Sequence, residues 1–157
     1  METIQVGDIM SPHVITVPTT MPVEEVARIL REQQITGLPV LDDRERVVGV
    51  VSVSDIVTRR GAVASDIMSP EVISVTTETD VEAVVAILAN RRIRRVPVLA
   101  EGQLVGIVSR TDLVRLFQVT RWSCDRCGYF VRGFTRPAIC TACSSTNITL
   151  QRENQGS

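Results

Sequence analysis

The chain contains no lysine, a single histidine, and no aromatic residue before Phe117. All 17 of its basic residues are arginine, so every cationic contact is a planar guanidinium suited to bidentate pairing with phosphate or carboxylate. Its aromatics, Phe117, Trp122, Tyr129, Phe130 and Phe134, crowd into the last quarter. A planar ligand bound earlier must therefore rest on aliphatic side chains and backbone. The sole histidine, His13, follows Pro12 in a turn and reads as a surface residue. With no base for a nucleophile, no phosphate-binding glycine loop and no open metal position, the chain reads as a non-enzyme. The longest apolar run, Ala83–Ala89, falls far short of the ~20 residues of a membrane span. Met1-Glu2-Thr3-Ile4 holds no basic region leading into an apolar stretch; no secretory signal is visible, and the cytoplasm is the expected compartment.

What is present begins with 157 residues, of which 44% are hydrophobic, enough for a real core. Residues 1–120 carry 12 Arg against 16 Asp and Glu, a net −4, whereas residues 121–157 carry 5 against 2, a net +3. Four thiolates on a divalent metal would lower that tail to about +1. So small a charge argues against nucleic acid as a partner.

An internal repeat organises the first three quarters. Asp8-Ile9-Met10-Ser11-Pro12 recurs as Asp66-Ile67-Met68-Ser69-Pro70, and Pro39-Val40-Leu41 as Pro97-Val98-Leu99. Over 8–41 against 66–99, 18 of 34 positions are identical. One residue is then dropped, and Gly49-Val50-Val51-Ser52 matches Gly106-Ile107-Val108-Ser109; a hairpin turn at 42–46 tolerates such a change. Each unit reads strand, helix, strand, strand, helix. Val14–Val17 predicts the first strand, and Val23, Val26, Ala27 and Leu30 one helix face, repeated at Val81, Val84, Val85 and Leu88. Pro22 suits a first helical turn, and Thr79-Asp80-Val81-Glu82 predicts a capping box. A second helix is expected from Asp55 to Arg60, stopped by Gly61. The fold class is α/β (α+β), with two pseudo-symmetric modules packed together because neither buries enough alone.

The run Asp-Ile-Met-Ser-Pro, the strands Leu38-Pro39-Val40 and Val96-Pro97-Val98, and Gly49–Asp55 with Gly106–Asp112 resemble the cystathionine β-synthase-type (CBS) domain in tandem, over about residues 4–118. That resemblance implies modules at 1–61 and 62–119 forming one disc with two clefts, adenosine ligands such as AMP, ATP, NAD or S-adenosylmethionine, and homodimers. It marks Ser52 with Asp55, and Ser109 with Asp112, as ligand-binding. Adenine would lie at Gly37-Leu38 and Arg95-Val96, beside Thr16 and Ser74. The chemistry is sound, because an ionised Asp accepts both ribose hydroxyls. The alternative is an ordinary helix start, with Ser54 or Thr111 as cap and the Asp as first-turn acid. Arg94, Arg95 and Arg110 read either as a phosphate anchor in the second cleft or as a solvated helix end. The first repeat has Thr36-Gly37 there, so the clefts are not equivalent.

Cys124-x-x-Cys127 and Cys140-x-x-Cys143, twelve residues apart, supply four thiolates suited to tetrahedral zinc, with iron as the alternative. Two disulfides would require an oxidising compartment. Residues 120–157 then read as a metal-stabilised zinc-ribbon with a flexible C-terminal tail, too short to hold a core without a staple. Trp122, Tyr129, Phe130 and Phe134 are expected to form its miniature core. Cys124–Tyr129 resembles the first knuckle of rubredoxins and zinc ribbons, with Gly128 at the turn, whereas Ser144 stands where rubredoxins carry Gly. The leading reading is a regulatory sensor; the rivals are an iron electron-transfer protein and a zinc-ribbon nucleic-acid binder.

Overall fold

A computed structural model describes residues 3–153. Met1, Glu2 and the end of the expected flexible tail, 154–157, lie outside the described residues. The elements run β1 (Val17–Pro18), α1 (Val23–Glu32), β2 (Gly37–Leu41), β3 (Val47–Ser52), α2 (Val53–Thr58), α3 (Ala64–Ile67) and β4 (Val75–Thr76). They continue through α4 (Val81–Arg91), β5 (Arg95–Ala100), β6 (Gln103–Ser109), α5 (Arg110–Val119), β7 (Thr120–Cys124), β8 (Phe130–Val131) and β9 (Ile148–Arg152). The sheets are ordered β1-β2-β3, β4-β5-β6 and β8-β7-β9, so the strand-helix-strand-strand-helix order holds in both repeats. Among the described residues no helix is long and apolar enough to cross a membrane. Two compact units are distinguishable among the described residues: residues 11–75 with 97–107, and residues 3–10 with 76–96 and 108–153.

In the first unit, Val26 and Leu30 of α1 pack with Val17, Leu38, Val40, Val51, Ala64 and Ile67. Burying each Val or Leu contributes roughly 1.5–3 kcal/mol. β1 begins only at the end of the expected strand over Val14–Val17: it pairs with β2 at Val17↔Val40 and Pro18↔Leu41, and the Thr19 amide continues onto the Leu41 carbonyl at 3.1 Å. The second repeat's Asp-Ile-Met-Ser-Pro run docks here, on the first repeat. Ala64 donates to the Met21 carbonyl at 2.8 Å, and Val50 and Ser69 exchange both backbone bonds at 3.0 and 2.9 Å. Gly49 permits that approach, because a Cβ there would meet Met68 Sδ at 2.5 Å and the Ser69 carbonyl at 2.8 Å. The repeated aspartate serves the local backbone, since Asp66 accepts the Ala62 and Val63 amides at 2.9 and 3.0 Å. The Val63 amide, then that of Ala62, holds its carboxyl below the usual range. The dropped residue sits between β5 and β6, where Glu101 and Gly102 both take positive φ, 52° and 79°, the conformation of a two-residue hairpin turn.

In the second unit the first repeat's N-terminal segment docks on the second repeat. Val6 donates to the Thr79 carbonyl and Val81 to the Ile4 carbonyl, both at 2.8 Å, and Ile4 and Val6 are fully buried. This bond displaces the capping box expected over Thr79–Glu82. Asp80 is the N-cap and makes no side-chain cap bond, while the Thr79 hydroxyl turns back to accept the Thr76 amide at 3.0 Å.

α5 runs into β7 without a loop. The Thr120 hydroxyl donates to the Leu116 carbonyl at 2.6 Å, and Arg132 to the Gln118 and Thr120 carbonyls at 2.8 and 3.3 Å. The expected aromatic core is a single residue. Trp122 is buried and its indole donates to the Gly133 carbonyl at 3.1 Å, whereas Tyr129 and Phe130 are nearly half exposed. Arg121 lies over Phe130 at 4.7 Å, and Phe134 tilts onto Phe117 with centroids 6.0 Å apart. Trp122 lines one small cavity together with Tyr129, Val131, Pro137 and Ile148.

Candidate functional site

The four cysteines converge. Their sulfurs all lie within 4.8 Å of one another, with Cys124 and Cys143 at 3.5 Å and Cys127 and Cys140 at 3.6 Å. A tetrahedron with Zn–S bonds of about 2.3 Å has edges of about 3.8 Å, so the donor set fits a tetrahedral metal. Two matching turns build it. Gly128 donates to the Cys124 carbonyl and Cys124 to the Tyr129 carbonyl at 2.9 and 2.8 Å, as Ser144 does to Cys140 and Cys140 to Ser145, both at 2.8 Å. The first cysteine of each pair is buried, Cys127 is exposed and Cys143 half-buried. The Cys127 amide, and behind it that of Arg126, hold Cys124 down to about 6. At Cys127 the Tyr129 amide favours the thiolate, but burial and the thiols of Cys140, Cys143 and Cys124 push it up to about 12. The amides of the turn thus favour the thiolate at Cys124, and a metal bound by all four sulfurs would displace the Cys127 proton into solvent.

Ser144 takes φ 64° where Gly128 takes 78°, so the departure from the glycine pattern leaves the turn unchanged and places a side chain in the left-handed region. Ser144→Gly is expected to raise the knuckle's stability by about 0.5–1 kcal/mol, read as a higher chelator concentration at half-unfolding. Unchanged or lower resistance would contradict the strain.

At the candidate ligand clefts both Ser-x-x-Asp runs form the same box. Asp55 Oδ2 accepts the Ser52 amide and hydroxyl at 2.9 and 3.0 Å, while Ser52 Oγ accepts the Asp55 amide at 3.2 Å. Asp112 Oδ2 accepts from Ser109 at 2.8 and 3.0 Å, and Ser109 Oγ accepts the Asp112 amide at 3.3 Å. The caps are therefore Ser52 and Ser109, not Ser54 and Thr111. Capping from Ser52 starts α2 at Val53, two residues ahead of the expected helix, and its C-cap Arg59 is already extended before Gly61.

The two boxes differ at their second oxygen. Asp55 Oδ1 faces Arg59 Nε at 3.4 Å, whereas the residue four after Asp112 is Leu116. Among the described residues Asp112 Oδ1 has no hydrogen-bond or ion-pair partner. Gly37 pairs with Ser52 across β2 and β3, so Gly37, Leu38, Ser52 and Asp55 are brought together in the first unit; Thr16 precedes β1, the neighbour of β2, one strand from Gly37 and Leu38 and two from Ser52. In the second unit Arg110 donates its amide to the Arg94 carbonyl at 3.0 Å and its Nε to the Ile93 carbonyl at 3.1 Å. It is folded onto the approach to β5 rather than held out for a phosphate. Arg94 is exposed and Val96 buried. Burial, then the like charge of Arg94, pushes the Arg95 guanidinium down, opposed by the charge of Asp112. Ser74 is exposed and belongs to the first unit.

Sequence reasoning missed Arg115 and Arg152. With Asp8, Asp112 and Glu153 they line a groove of about 560 Å³ along α5. Arg115 was readable, three residues after Asp112 on one helix; Arg152 lies beyond the repeats and carried no signal.

The CBS domain matches residues 6–61 and 64–119. The magnesium transporter MgtE of Thermus thermophilus is 36% identical over 122 residues, covering 73% of this chain and 27% of the transporter. The chloroplastic CBS domain-containing protein CBSX2 of Arabidopsis thaliana is 30% identical over 149 residues, 70% of this chain and 62% of its own. The chain thus spans less than two thirds of these relatives. CBSX2 in complex with AMP superposes with TM-score 0.68 at 34% identity, covering 71% of this chain and 93% of that one. The CBS pair of protein MJ0100, with 5′-methylthioadenosine and S-adenosylmethionine, gives TM-score 0.68 at 30% identity over 74% and 98%. The CBS-domain match ends at residue 119. Two CBS domains in tandem make up the chain's first three quarters, and the chain belongs to the CBS-domain family.

Proposed function

We propose that the chain is a regulatory binding protein whose CBS pair takes an adenosine-containing ligand at Ser109 and Asp112, and whose four cysteines hold a structural zinc ion. The observation carrying this reading is the open Oδ1 of Asp112. Its other oxygen fixes the helix start, leaving one carboxylate oxygen able to take a ribose hydroxyl. AMP in CBSX2 and S-adenosylmethionine in MJ0100 support the ligand class. Titration calorimetry with AMP, ATP, NAD and S-adenosylmethionine tests it, with saturable heat expected from at least one; silence from all four would leave Asp112 as a cap alone.

Four thiolates suit zinc and iron alike; zinc is proposed because the second knuckle departs from the rubredoxin pattern at Ser144. Metal analysis with a visible spectrum decides, since bound iron would colour the protein. A nucleic-acid role is disfavoured further by how the tail's arginines are used. Arg121 and Arg132 share Glu153 at 3.2 and 3.4 Å, and Arg136 caps the Thr146 and Ile148 carbonyls, both at 3.1 Å. The protein is further proposed to be cytoplasmic and a homodimer. Val57 and Val114, equivalent in the two repeats, are 77% and 59% exposed and would be covered by a second copy. Light scattering at micromolar concentration should report twice the chain mass; a monomer would remove the dimer.

A further inference from the structure

We infer that Arg59 is a built-in plug that keeps the first cleft from taking the ligand the second cleft takes, so that the pair binds one adenosine ligand rather than two. This rests on the adenosine-ligand reading above. The two clefts share one carboxylate chemistry: in each, Oδ2 is consumed by the serine amide and hydroxyl. Whatever a ribose gains beyond that must come largely from Oδ1. In the first cleft Oδ1 already faces a guanidinium, Arg59 Nε at 3.4 Å.

Arg59 is held at both ends. Its Nη1 donates to the Met68 carbonyl at 3.2 Å, on the segment that the second repeat lays against the first. The guanidinium therefore spans from α2 to that segment, with the Asp55 side chain only 13% exposed beneath it. A ribose hydroxyl reaching Oδ1 must expel a cation from a sheltered carboxylate and strip a carbonyl of its donor. The second repeat has an aliphatic side chain at the equivalent place, Leu116, which can do neither.

The size of the effect is bounded. An ion pair whose arginine is 49% exposed contributes only a few-fold by itself. Together with the lost bond to Met68, the first cleft is expected to be about tenfold weaker than it would be without Arg59.

The test is titration of AMP into the full-length, metal-loaded protein. Wild type should bind one AMP per chain tightly and a second only at markedly higher concentration, and Arg59→Leu, which copies the second repeat at an exposed position, should strengthen that second event about tenfold so that two bind. In an Asp112→Ala background, where only the first cleft is left, adding Arg59→Leu should tighten AMP about tenfold. The inference is overturned if wild type already binds two equivalent AMP molecules, or if Arg59→Leu still binds one. It is also overturned if Arg59→Leu weakens AMP in the Asp112→Ala background, for Arg59 would then be a phosphate ligand. Wild type and Arg59→Leu both failing to bind would end this inference and the ligand reading together. Wild type binding none while Arg59→Leu binds one would keep the plug and end only the second-cleft reading.

Discussion

Cys124→Ser or Cys140→Ser is expected to release the metal and unfold residues 122–150, with the first unit left folded. The magnitude follows from what else holds that segment. Apparent zinc affinities of small four-ligand sites correspond to about 10–16 kcal/mol. Against this, the knuckle buries Trp122, Ile148 and the two cysteines themselves, a core of one aromatic and one aliphatic side chain. Such a segment cannot stay ordered with one ligand removed. The core around Val26, Leu38 and Ile67 lies in the other compact unit and draws on none of these residues. Its melting should move little. The chain supplies its own reporter, because Trp122 is its single tryptophan and only 2% exposed. Loss of metal should therefore shift tryptophan emission to the red while most far-ultraviolet helix signal persists. The last turn of α5 is expected to loosen as well, since Glu153 donates its amide to the Val119 carbonyl at 2.7 Å. Full metal retention in either variant would remove the four-sulfur site, and an unshifted emission would mean that the strands hold without it.

These features differ in how far a sequence can announce them. The cysteine site was legible because each Cys-x-x-Cys is a local turn, and the spacing alone brings two sulfurs together. The repeat was legible because 18 of 34 residues recur. The crossed docking of the Asp-Ile-Met-Ser-Pro segments was not, because it rests on pairings such as Val6 with Thr79, 73 residues apart in the numbering, for which no local pattern speaks. The missing capping box at Thr79 is the same event seen from the other side: Ile4 arrives from afar and takes the Val81 amide. The aromatic core failed for a related reason. Tyr129 and Phe130 sit beside the first cysteine pair in sequence, yet the turn leaves both nearly half exposed, and Phe130 meets Arg121. The pairing of Arg59 in one repeat with Leu116 in the other was visible on alignment, but its meaning depends on a 3.4 Å approach to Asp55 that only coordinates supply.

Asp112→Ala should weaken an adenosine ligand about 10- to 150-fold, the loss of a charge-assisted hydrogen bond of about 1.5–3 kcal/mol. Asp55→Ala should leave that affinity nearly unchanged, because the first cleft already spends its second oxygen on Arg59. Stability provides the control. Both aspartates hold a capping box with the same partners, the serine amide at 2.9 and 2.8 Å and the hydroxyl at 3.0 Å in each. Each substitution should therefore lower stability by a similar amount, about 1 kcal/mol. A helix-start role alone predicts equal stability losses and no difference in binding, whereas a ribose contact predicts equal stability losses and unequal binding. Paired melts and AMP titrations on the two variants separate these outcomes. Equal affinity losses at both positions would show that the clefts are equivalent after all, and would overturn the assignment of the ligand to Asp112.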